Sequence, residues 1–381
     1  MTGAKPGIAT SPHRAWIEID HHAIRSNLAT LRSAAGSEKQ VIAVVKADAY
    51  GHGAVPIART LRDAGVERLA VATVDEAVEL RDAGIEGPIL ILWGIGAPEA
   101  AIVVDAGLEA TVYDGRALEW LESAAAERAT RASVHLKIDT GLGRQGAAPD
   151  EAVELASRIR RSRHLALVGT FSHLAAAGED DAYTDVQLLR LARTLDAMRS
   201  AGIDLGLVHM SATGGILAGA GAFADAVRPG LGLYGLVPAW AAGTAHGLRP
   251  VLSLKALPLR IFDLPAGAAI SYGLRFRTER GTRVATLGVG YGDGWPRIHT
   301  NNGRALVHGR PVEIAGTISM DGLTVDLDGI DDVTYDDEFV LIGEQGGNRI
   351  SADEIAAERR TINYEVTTAL RRRLPRLHIG A

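Results

Sequence analysis

Short apolar runs alternate with longer amphipathic stretches through the first two thirds of the chain. The apolar runs predict buried strands and cover residues 41–45, 69–73, 89–92, 110–113, 134–138, 167–171, 207–210 and 227–233. The intervening stretches predict helices and cover residues 54–64, 74–83, 98–106, 116–128, 150–161 and 183–201. Strands that alternate with helices pair in parallel through right-handed crossovers. Eight strands in about 200 residues fit a closed (β/α)8 TIM-like barrel, and a doubly wound open sheet is the alternative.

The pattern changes on both sides of this region. Residues 1–13 are rich in Gly, Pro, Ser and Thr and predict a disordered lead-in. Residues 14–20 alternate like a half-exposed strand, which either belongs to the barrel domain or pairs with the second domain. A helix to about residue 35 follows. The predicted organisation is a barrel domain over 14–245 and a C-terminal, mainly β domain over 246–381.

The C-terminal domain is predicted from frequent Gly and Pro between short strand-like runs. After a connector at 238–250, these runs cover residues 252–262, 283–289, 303–308, 312–318, 323–327 and 339–342, with helices at 352–358 and 364–374. The fold class is therefore α/β, with a β-rich domain attached to a barrel.

Composition narrows the function classes. The 381 residues are 47% hydrophobic and 23% charged, as in ordinary globular proteins. A net charge of -6 gives no reason to expect nucleic acid or an anionic membrane surface as partner. The chain has no cysteine, which excludes disulfides and thiolate catalysis. The sequence contains neither an apolar run of ~20 residues nor a secretory signal, so we expect a cytoplasmic protein.

A lysine follows the first apolar run of the predicted barrel. Lys46 comes directly after five apolar residues and precedes a Gly-containing loop. An amine at the end of a buried strand is partly desolvated, which lowers its pKa and allows it to form Schiff bases. The alternative is a lysine whose aliphatic stem lies along apolar surface and whose amine carries no chemistry.

Polar side chains follow the other predicted strands, at the end of a barrel where active sites form. They are Tyr50 and His52 after the first strand, Trp93 after the third, Lys137, Asp139 and Arg144 after the fifth, Ser172 and His173 after the sixth, His209, Ser211 and Thr213 after the seventh, and Arg228 and Tyr234 on the eighth. The last two loops commonly hold a phosphate in barrels. Their donors are the hydroxyls of Ser211 and Thr213 and the amides of Gly214, Gly215, Gly230 and Leu231. A structural turn alone would also explain the Gly-Gly pair.

A lysine at the first strand end and a phosphate site across the barrel mouth together predict the cofactor pyridoxal 5′-phosphate. We identify no metal site. Six motifs then carry a resemblance to a known family: Val44-Val-Lys46-Ala-Asp-Ala-Tyr50-Gly-His-Gly, Lys137-Ile-Asp-Thr-Gly-Leu-Gly-Arg144, Ser271-Tyr272-Gly273, Gly290-Tyr291-Gly-Asp293-Gly-Trp295, Ser319-Met320-Asp321 and Asn363-Tyr364-Glu365. From Trp16 to about Leu374 the chain resembles the alanine racemases, which are fold-type-III pyridoxal phosphate enzymes.

The resemblance implies a two-base racemisation of alanine. Racemisation takes a proton from one face of the α-carbon and returns one to the other face, which requires an electron sink and two acid/base groups. Lys46 would hold the cofactor and act on one face, and Tyr272 would act on the other. The family is a homodimer in which the partner subunit supplies Tyr272, Tyr291 and Met320. A free tyrosine with a pKa of ~10 needs neighbours that favour its phenolate, and His173 is the expected one.

The resemblance also assigns the remaining positions. Arg228 would face the pyridine nitrogen and disfavour its protonation, and the alternative is that Arg228 forms a structural ion pair. Tyr50, Thr213 and Tyr364 would bind the phosphate, together with the amides of Gly230 and Leu231. Arg144 and the backbone of Met320 would orient the substrate carboxylate and the cofactor phenolate oxygen, Tyr291 would narrow the entry, and Lys137 is a position often carbamylated. The chain departs from the family at Ala212, where an amide side chain is usual, and at Ser319, where cysteine is common.

Three other functions stay open on these residues. A broad-specificity racemase acting on serine or basic amino acids is the nearest. The second is a fold-type-III decarboxylase of basic amino acids. Those enzymes share a catalytic cysteine, and its absence from this chain argues against that function. A non-catalytic pyridoxal phosphate-binding barrel would not need the C-terminal ~130 residues. The physiological role that the resemblance implies is supply of D-alanine for the peptidoglycan of the cell wall.

Overall fold

The protein is described by a computed structural model that covers residues 14–243 and 246–381. The predicted disordered lead-in at 1–13 lies outside the described residues. Two compact units are present. One comprises His21–Arg249, and the other comprises the described residues up to Asp20 together with Pro250–Gly380.

The first unit contains a closed ring of eight parallel strands, which confirms the predicted barrel and excludes the open sheet. Its strands are β2 (Gln40–Val44), β3 (Arg68–Val71), β4 (Ile89–Ile91), β5 (Glu109–Val112), β6 (Ala132–Lys137), β7 (Leu165–Phe171), β8 (Leu207–Ala212) and β9 (Ala226–Arg228). Each strand pairs with the next, and β9 closes on β2 through Val41 and Val227. Both faces of the ring are covered, so most of its strand residues are apolar, and polar ones such as Glu109, His135 and His209 are buried.

Helices surround the ring. They are α1 (His21–Ala35), α2 (Lys46–Gly51), α3 (Ala54–Asp63), α4 (Val74–Asp82), α5 (Glu99–Asp105), α6 (Gly115–Glu127), α7 (Pro149–Arg161), α8 (Asp181–Ser200) and α9 (Thr213–Leu217). Of these, α2 is a short turn whose backbone angles are left-handed rather than α-helical. Their sequence periodicity decides which face is buried: in α3, Ile57, Ala58 and Leu61 face inward at spacings of one turn. None of the helices in the described part of the chain is long and apolar enough to cross a membrane.

The predicted eighth strand at 227–233 is wrong in extent. β9 ends at Arg228, and a 3-10 turn occupies Leu231–Tyr234. Pro229 has no N–H to continue the ladder, and its carbonyl instead accepts a hydrogen bond from the Val44 amide at 2.9 Å. The chain turns at Gly230 as a result, and this turn forms part of the site described below.

The second unit is mainly β, as predicted. Its strands are β1 (Ala15–Asp20), β10 (Leu252–Ala256), β11 (Pro258–Leu264), β12 (Ala269–Ile270), β13 (Phe276–Arg277), β14 (Thr282–Leu287), β15 (Arg304–Val307), β16 (Arg310–Glu313), β17 (Leu323–Asp326), β18 (Phe339–Gln345), β19 (Asn348–Ile350) and β20 (Arg376–Ile379). Its helices are α10 (Ala352–Arg359) and α11 (Asn363–Thr368). The largest sheet has the order β16-β15-β18-β10-β1-β20, with β19 paired to β18, and a second sheet has the order β11-β14-β17.

The opening strand β1 lies inside the largest sheet. It pairs antiparallel with β10 from Ala15 to Ile19 and parallel with β20 from Ile17 to Asp20. Trp16, Ile17 and Ile19 are buried there. The first described strand is therefore part of the core of the second unit.

Three element predictions in this unit are wrong in extent. The strand expected at 312–318 is β16 at Arg310–Glu313, which ends before the turn at Gly316. The single strand expected at 252–262 is two strands in different sheets, because the chain bends at Leu257, whose amide donates to the Arg14 carbonyl, and at the following proline. The helix expected at 364–374 ends at Thr368. Beyond that point the amide of Arg371 donates to the Asp293 carbonyl at 2.9 Å instead of continuing the helix.

Candidate active site

Lys46 lies directly beyond the buried strand β2, as the sequence predicts. The four residues that follow it, 47–50, all adopt left-handed backbone angles, with φ between 52° and 56°. None is glycine, so each costs about 1–2 kcal/mol relative to the right-handed conformation. The turn is held by the Glu76 carboxylate, which accepts from the amides of Ala47 at 2.6 Å and Ala72 at 2.7 Å. Asp48 accepts from the Ala54 amide at 2.8 Å and ties the turn to α3. The backbone is thus strained at the residues that present the lysine.

The Lys46 amine is half-buried and lies in a cationic environment. Burial lowers its pKa from the ordinary value, and the nearby charges of Arg144 and Arg228 lower it further, whereas Glu76 raises it. Among the described residues, no side chain forms an ion pair or hydrogen bond with its nitrogen. The neutral, nucleophilic form of the amine is therefore more populated than in a free lysine.

Thr213, at the start of α9, joins two turns at the barrel mouth. Its Oγ1 accepts from the amides of Gly232 at 3.0 Å and Gly230 at 3.3 Å. A Cβ at Gly230 would lie 2.6 Å from the Tyr50 hydroxyl, so this position requires glycine. Tyr50 itself is buried, with its ring 4.9 Å from that of Tyr234. Hydroxyls and backbone amides from three separate strand ends thus meet at one place.

Arg228, at the end of β9, is almost fully buried. Its guanidinium donates to His209 Nδ1 at 2.6 Å, to the carbonyls of Ser172 and Met210 at 2.7 Å each, and to His173 Nδ1 at 3.1 Å. Burial lowers its pKa to about 9, so it remains protonated at neutral pH. His173 has a pKa well below the ordinary value, through burial and the charge of Arg228, and is neutral. Since its Nδ1 accepts from Arg228, its proton is on Nε2.

The loop after β6 carries two more cations. Lys137 is buried and donates to Gln145 Oε1 at 3.1 Å. Burial and the charges of Arg144 and Arg228 lower its pKa to about 8. Arg144 lies over the Trp93 ring at 5.3 Å. Asp139 shapes the loop, because its carboxylate accepts from the amides of Gly141, Leu142 and Gly143 at 2.8–2.9 Å.

The barrel mouth therefore has an excess of positive charge. The charges of Arg144 and Arg228 lower the pKa values of both Lys46 and Lys137. Within residues 14–243 and 246–381, no carboxylate lies within ion-pair distance of any of these four side chains. Such a site favours an anionic ligand.

Beneath the mouth, Glu109 is a buried carboxylate at the start of β5. Burial alone would raise its pKa, but hydrogen bonds from His135 and Arg68 outweigh this and lower it from 4.5 to about 2. The pKa in the folded protein is below that of the unfolded chain, so its stabilisation is complete above about pH 4.5 and is lost as the pH falls toward 2.

We therefore expect Glu109→Gln to lower the free energy of unfolding by about 2–3 kcal/mol at pH 7. The deficit relative to the wild type should shrink as the pH falls from 4.5 toward 2, as measured by urea unfolding across that range. Glu119→Gln is the control, since its side chain is 64% exposed, and it should stay within about 0.5 kcal/mol of the wild type. A Glu109→Gln deficit that is the same at every pH would contradict this assignment.

The remaining predicted site residues lie in the second unit. Tyr272 is in a turn between β12 and β13 and is 73% exposed. Ser271 and Leu274 in this turn have positive φ angles of 62° and 52°. Thr317 holds the turn, because its hydroxyl donates to the Tyr272 carbonyl at 2.7 Å and its carbonyl accepts from the Ser271 hydroxyl at 2.5 Å. The phenol is presented outward from a fixed backbone.

Tyr291 and Met320 lie on two loops that are bonded to each other. The amide of Tyr291 donates to the Ser319 carbonyl at 3.2 Å, and that of Gly292 donates to the Met320 carbonyl at 2.8 Å. Both side chains are exposed, at 40% and 52%. Residues 317–320 thus bond to the turn that carries Tyr272 and also to the loop that carries Tyr291. Tyr364 lies on α11 of this unit.

Asp293 anchors these loops from within. Its carboxylate is fully buried and forms hydrogen bonds with Arg14 at 2.8 and 3.0 Å and with the Gly290 amide at 3.0 Å. Burial acts to raise its pKa, and the bonds from Arg14 and Gly290 outweigh it, so the pKa is lowered. Asp293 is therefore the partner of Arg14, directly before the opening strand, and Arg373 Nε lies 3.5 Å from the same carboxylate.

Asp293→Asn should lower the free energy of unfolding by about 3 kcal/mol, because it removes one partner of a buried ion pair. Asp321→Asn is the matched control: its carboxylate is 63% exposed and pairs with Arg373 at 2.6 Å, so a change below about 1 kcal/mol is expected. Thermal and urea unfolding of both variants measure the difference. Equal effects of the two substitutions would show that burial of the Asp293 pair is not what stabilises the loops.

The structure brings together nine of the predicted site residues in the barrel unit: Lys46, Tyr50, Lys137, Arg144, His173, Thr213, Arg228, Gly230 and Leu231. Tyr272, Tyr291, Met320 and Tyr364 belong to the other unit. Sequence reasoning missed Glu76, Gln145, Glu109 and His135 as neighbours of the site. Only Glu76 had a local signal, since Thr73 and Glu76 form a capping box at the start of α4.

A lysine-bearing barrel followed by a β domain with an exposed tyrosine defines a class of two-domain barrel enzymes. Residues 19–238 match the family model for the alanine racemase N-terminal domain, and residues 251–378 match that for the alanine racemase C-terminal domain. The chain belongs to the alanine racemase family. Its activity is accordingly that of an amino acid racemase, an isomerase.

Relatives and solved structures agree with this assignment over nearly the whole chain. The alanine racemase of Halothermothrix orenii is 40% identical, covering 95% of this chain and 96% of the relative. The alanine racemase of Synechocystis is 38% identical, covering 96% of this chain and 99% of the relative. The crystal structure of alanine racemase from D-cycloserine-producing Streptomyces lavendulae is similar with a TM-score of 0.90 at 34% identity, covering 97% and 98%. The crystal structure of alanine racemase from Bacillus anthracis with bound L-Ala-P is similar with a TM-score of 0.91 at 32% identity, covering 97% of this chain and 96% of that one.

Proposed function

We propose that this chain interconverts L- and D-alanine with pyridoxal 5′-phosphate held at Lys46, and that a second copy of the chain supplies the opposing base, Tyr272. The observation that carries the proposal is the half-buried Lys46 amine, which has a lowered pKa and faces a cationic mouth with no carboxylate partner in the described residues. A lysine of this kind is suited to a covalent bond with an aldehyde.

The residues present fit the cofactor. Its phosphate is an anion, and the barrel mouth offers cations that have no carboxylate partner in the described part of the chain, together with the Tyr50 and Thr213 hydroxyls and the amides of Gly230 and Leu231. Tyr364 would complete the phosphate contacts. The close approach of the Tyr50 hydroxyl to Gly230 supports this, because a side chain at residue 230 would displace the tyrosine. When bound, pyridoxal phosphate supplies an electron sink for the negative charge left at the α-carbon by proton removal.

Lys46 would also act as the base on one face of the substrate. Its pKa is lowered by burial and by two arginines, so its nitrogen Nζ can take a proton from the α-carbon and return one at neutral pH. The strained turn at 47–50 and the Glu76 carboxylate support this role, since they fix the backbone from which the side chain extends.

Tyr272 of a second copy would act on the opposite face. Its phenol is largely exposed within its own unit, as a group that serves a partner must be. Leu274, Ile298, Met320 and Ile362 of the same unit are exposed apolar side chains, at 52–59%, which favours burial against a second copy. Neutral His173, with its proton on Nε2, would donate to the phenolate and favour it.

Other residues would orient the substrate and limit its size. Arg144 and the Met320 backbone would bind the substrate carboxylate, and Tyr291 would restrict the entry to small side chains. Arg228 would face the pyridine nitrogen; since it keeps its proton at neutral pH, it donates to that nitrogen rather than protonating it. The D-alanine product would serve peptidoglycan synthesis, in keeping with the family.

Lys137 would be carbamylated. Its pKa of about 8 leaves a substantial neutral fraction, which is the form that adds carbon dioxide and releases a proton. Gln145 supports this, because its Nε2 is buried with no hydrogen-bond partner among the described residues and would donate to a carbamate oxygen. The carbamate would also change the repulsion between Lys137 and Arg144 into attraction.

Borohydride reduction followed by peptide mapping tests the proposal. Reduction fixes the cofactor on its lysine, and a modified Lys46 resists trypsin, so a pyridoxyl peptide spanning 40–59 should replace those spanning 40–46 and 47–59. L-alanine should be converted to D-alanine in an assay coupled to D-amino-acid oxidase, and serine, lysine and arginine measure substrate breadth. A label on Lys137 or no label would overturn the assignment of Lys46.

A further inference from the structure

A chain of hydrogen bonds runs from Arg228 through the interior of the barrel to the opposite side of the ring. His209 Nδ1 accepts from Arg228 at 2.6 Å, and His209 Nε2 is 2.9 Å from His135 Nδ1. His135 Nε2 is 3.1 Å from a Glu109 oxygen, and Arg68 donates to the same carboxylate at 2.6 and 3.1 Å. The five residues come from five different strands, β9, β8, β6, β5 and β3.

The two ends of this chain determine where its protons lie. A guanidinium can only donate, and a carboxylate with a pKa of about 2 can only accept. Between them, a single arrangement satisfies every contact: His209 and His135 are both neutral, and each has its proton on Nε2. Reversing either ring would place two N–H groups or two lone pairs opposite each other.

Burial keeps both rings neutral. His135 and His209 are fully buried, and burial lowers the pKa of each below its ordinary value. Arg228 has no carboxylate within ion-pair distance among the described residues, although its charge is buried. The carboxylate to which its hydrogen bonds lead is Glu109, and a polarised chain transmits part of that negative charge.

The neighbouring strand β7 is shaped to hold the two rings. A Cβ at Gly169, which pairs with His135 in the sheet, would overlap His135 Nδ1. Phe171 stacks on His209 with the ring centroids 4.5 Å apart and an angle of 10°. The Arg228 guanidinium also lies over the Phe171 ring, 5.0 Å from its centroid. The absence of a side chain at Gly169 and the stacking of Phe171 thus hold the two histidine rings in the orientation that the hydrogen bonds require.

We propose that Glu109 and His135 are positioning residues for Arg228. Through His209 they fix the direction of the buried hydrogen-bond chain and thereby hold the guanidinium in one orientation with its charge compensated. The functional consequence rests on the proposed role of Arg228 at the cofactor. The proton positions do not, because they can be measured whether or not the cofactor is bound.

The direct test is the ¹⁵N spectrum of the histidine rings in the full-length protein as purified, with signals assigned from single His→Gln variants. We expect His135 and His209 each to show a protonated Nε2 and an unprotonated Nδ1. A protonated Nδ1 on either ring, or a doubly protonated ring, overturns the proposal. That outcome is distinct from failure of the proposed function, which would appear as absence of the pyridoxyl group on Lys46.

Variants separate positioning from simple stabilisation. Glu109→Leu removes the acceptor, and Gly169→Ala displaces the His135 ring without changing any ionisable group. Both should mix the histidine tautomers and lower kcat by about two- to thirtyfold, with a smaller change in KM. Glu109→Gln keeps an acceptor oxygen and should retain the tautomers with a smaller loss of kcat.

Arg68→Met is the matched control. It removes the other partner of Glu109 but leaves the carboxylate to accept from His135. We expect the wild-type tautomers and a kcat closer to the wild type than in Glu109→Leu, even where the stability falls. Equal losses of kcat in Arg68→Met and Glu109→Leu with unchanged tautomers would assign the network a structural role only and overturn the proposal.

Discussion

Lys46→Ala lowers the rate of alanine racemisation by at least about 10³-fold, because the substitution removes both the covalent attachment and one of two acid/base groups. Lys46→Arg should be no more active, since a guanidinium keeps the positive charge but neither forms a Schiff base nor gives up its proton at neutral pH. Circular dichroism of L-alanine solutions measures the rate. Borohydride reduction of both variants should leave no pyridoxyl-lysine.

Lys39→Ala serves as the control for loss of a lysine near the same strand. The Lys39 amine donates to the carbonyl of Ala222 at 2.7 Å, away from the strand end that carries Lys46. The racemase activity of Lys39→Ala should stay within about twofold of the wild type. A Lys46→Ala variant with more than about a tenth of the wild-type rate would contradict the role of this amine.

Tyr272→Phe removes a single oxygen atom and should lower kcat by about 10²–10⁴-fold, the usual range for loss of a general acid or base. The free energy of unfolding should change by less than about 0.5 kcal/mol, because the ring is 73% exposed in its own unit. Binding of the cofactor at Lys46 should persist. A large loss of rate without loss of stability or cofactor separates a chemical role from a structural one.

Tyr335→Phe is the control for Tyr272→Phe. Tyr335 is also exposed, at 55%, and its hydroxyl accepts a long hydrogen bond of 3.3 Å from the Ile261 amide. It should retain the wild-type rate within about twofold. If Tyr272→Phe lost no more activity than Tyr335→Phe, another group would have to serve the second face.

Much of the fold could be predicted from the sequence because its main determinants are local. The period of the apolar runs indicated eight parallel strands, and the dense Gly and Pro spacing indicated the β domain. The errors arose where one residue overrides a run of strand-forming neighbours. Pro229 ends β9 although Leu231 and Leu233 are apolar, and Pro258 begins a strand in a different sheet from the one before it.

The residues of the candidate site at strand ends could be predicted from the sequence, whereas the backbone conformation and the buried neighbours of the site could not. Lys46, Thr213 and Arg228 stand at strand ends, so parallel topology brings them together. The left-handed turn at 47–50 was not predictable, because Ala47 and Ala49 have no intrinsic preference for positive φ and adopt it only when Glu76 holds the backbone. Glu109 begins β5 and His135 lies within β6, and their contact depends on how the ring closes.

Each active site is expected to combine Lys46 of one copy with Tyr272 of the other, and mixing of two different variant subunits tests this pairing. Lys46→Ala and Tyr272→Phe, each inactive alone, are co-expressed with different tags so that mixed dimers form. Half of randomly paired dimers are mixed, and each mixed dimer has one intact site, so we expect roughly a quarter of the wild-type activity. No recovery in purified mixed dimers would contradict it.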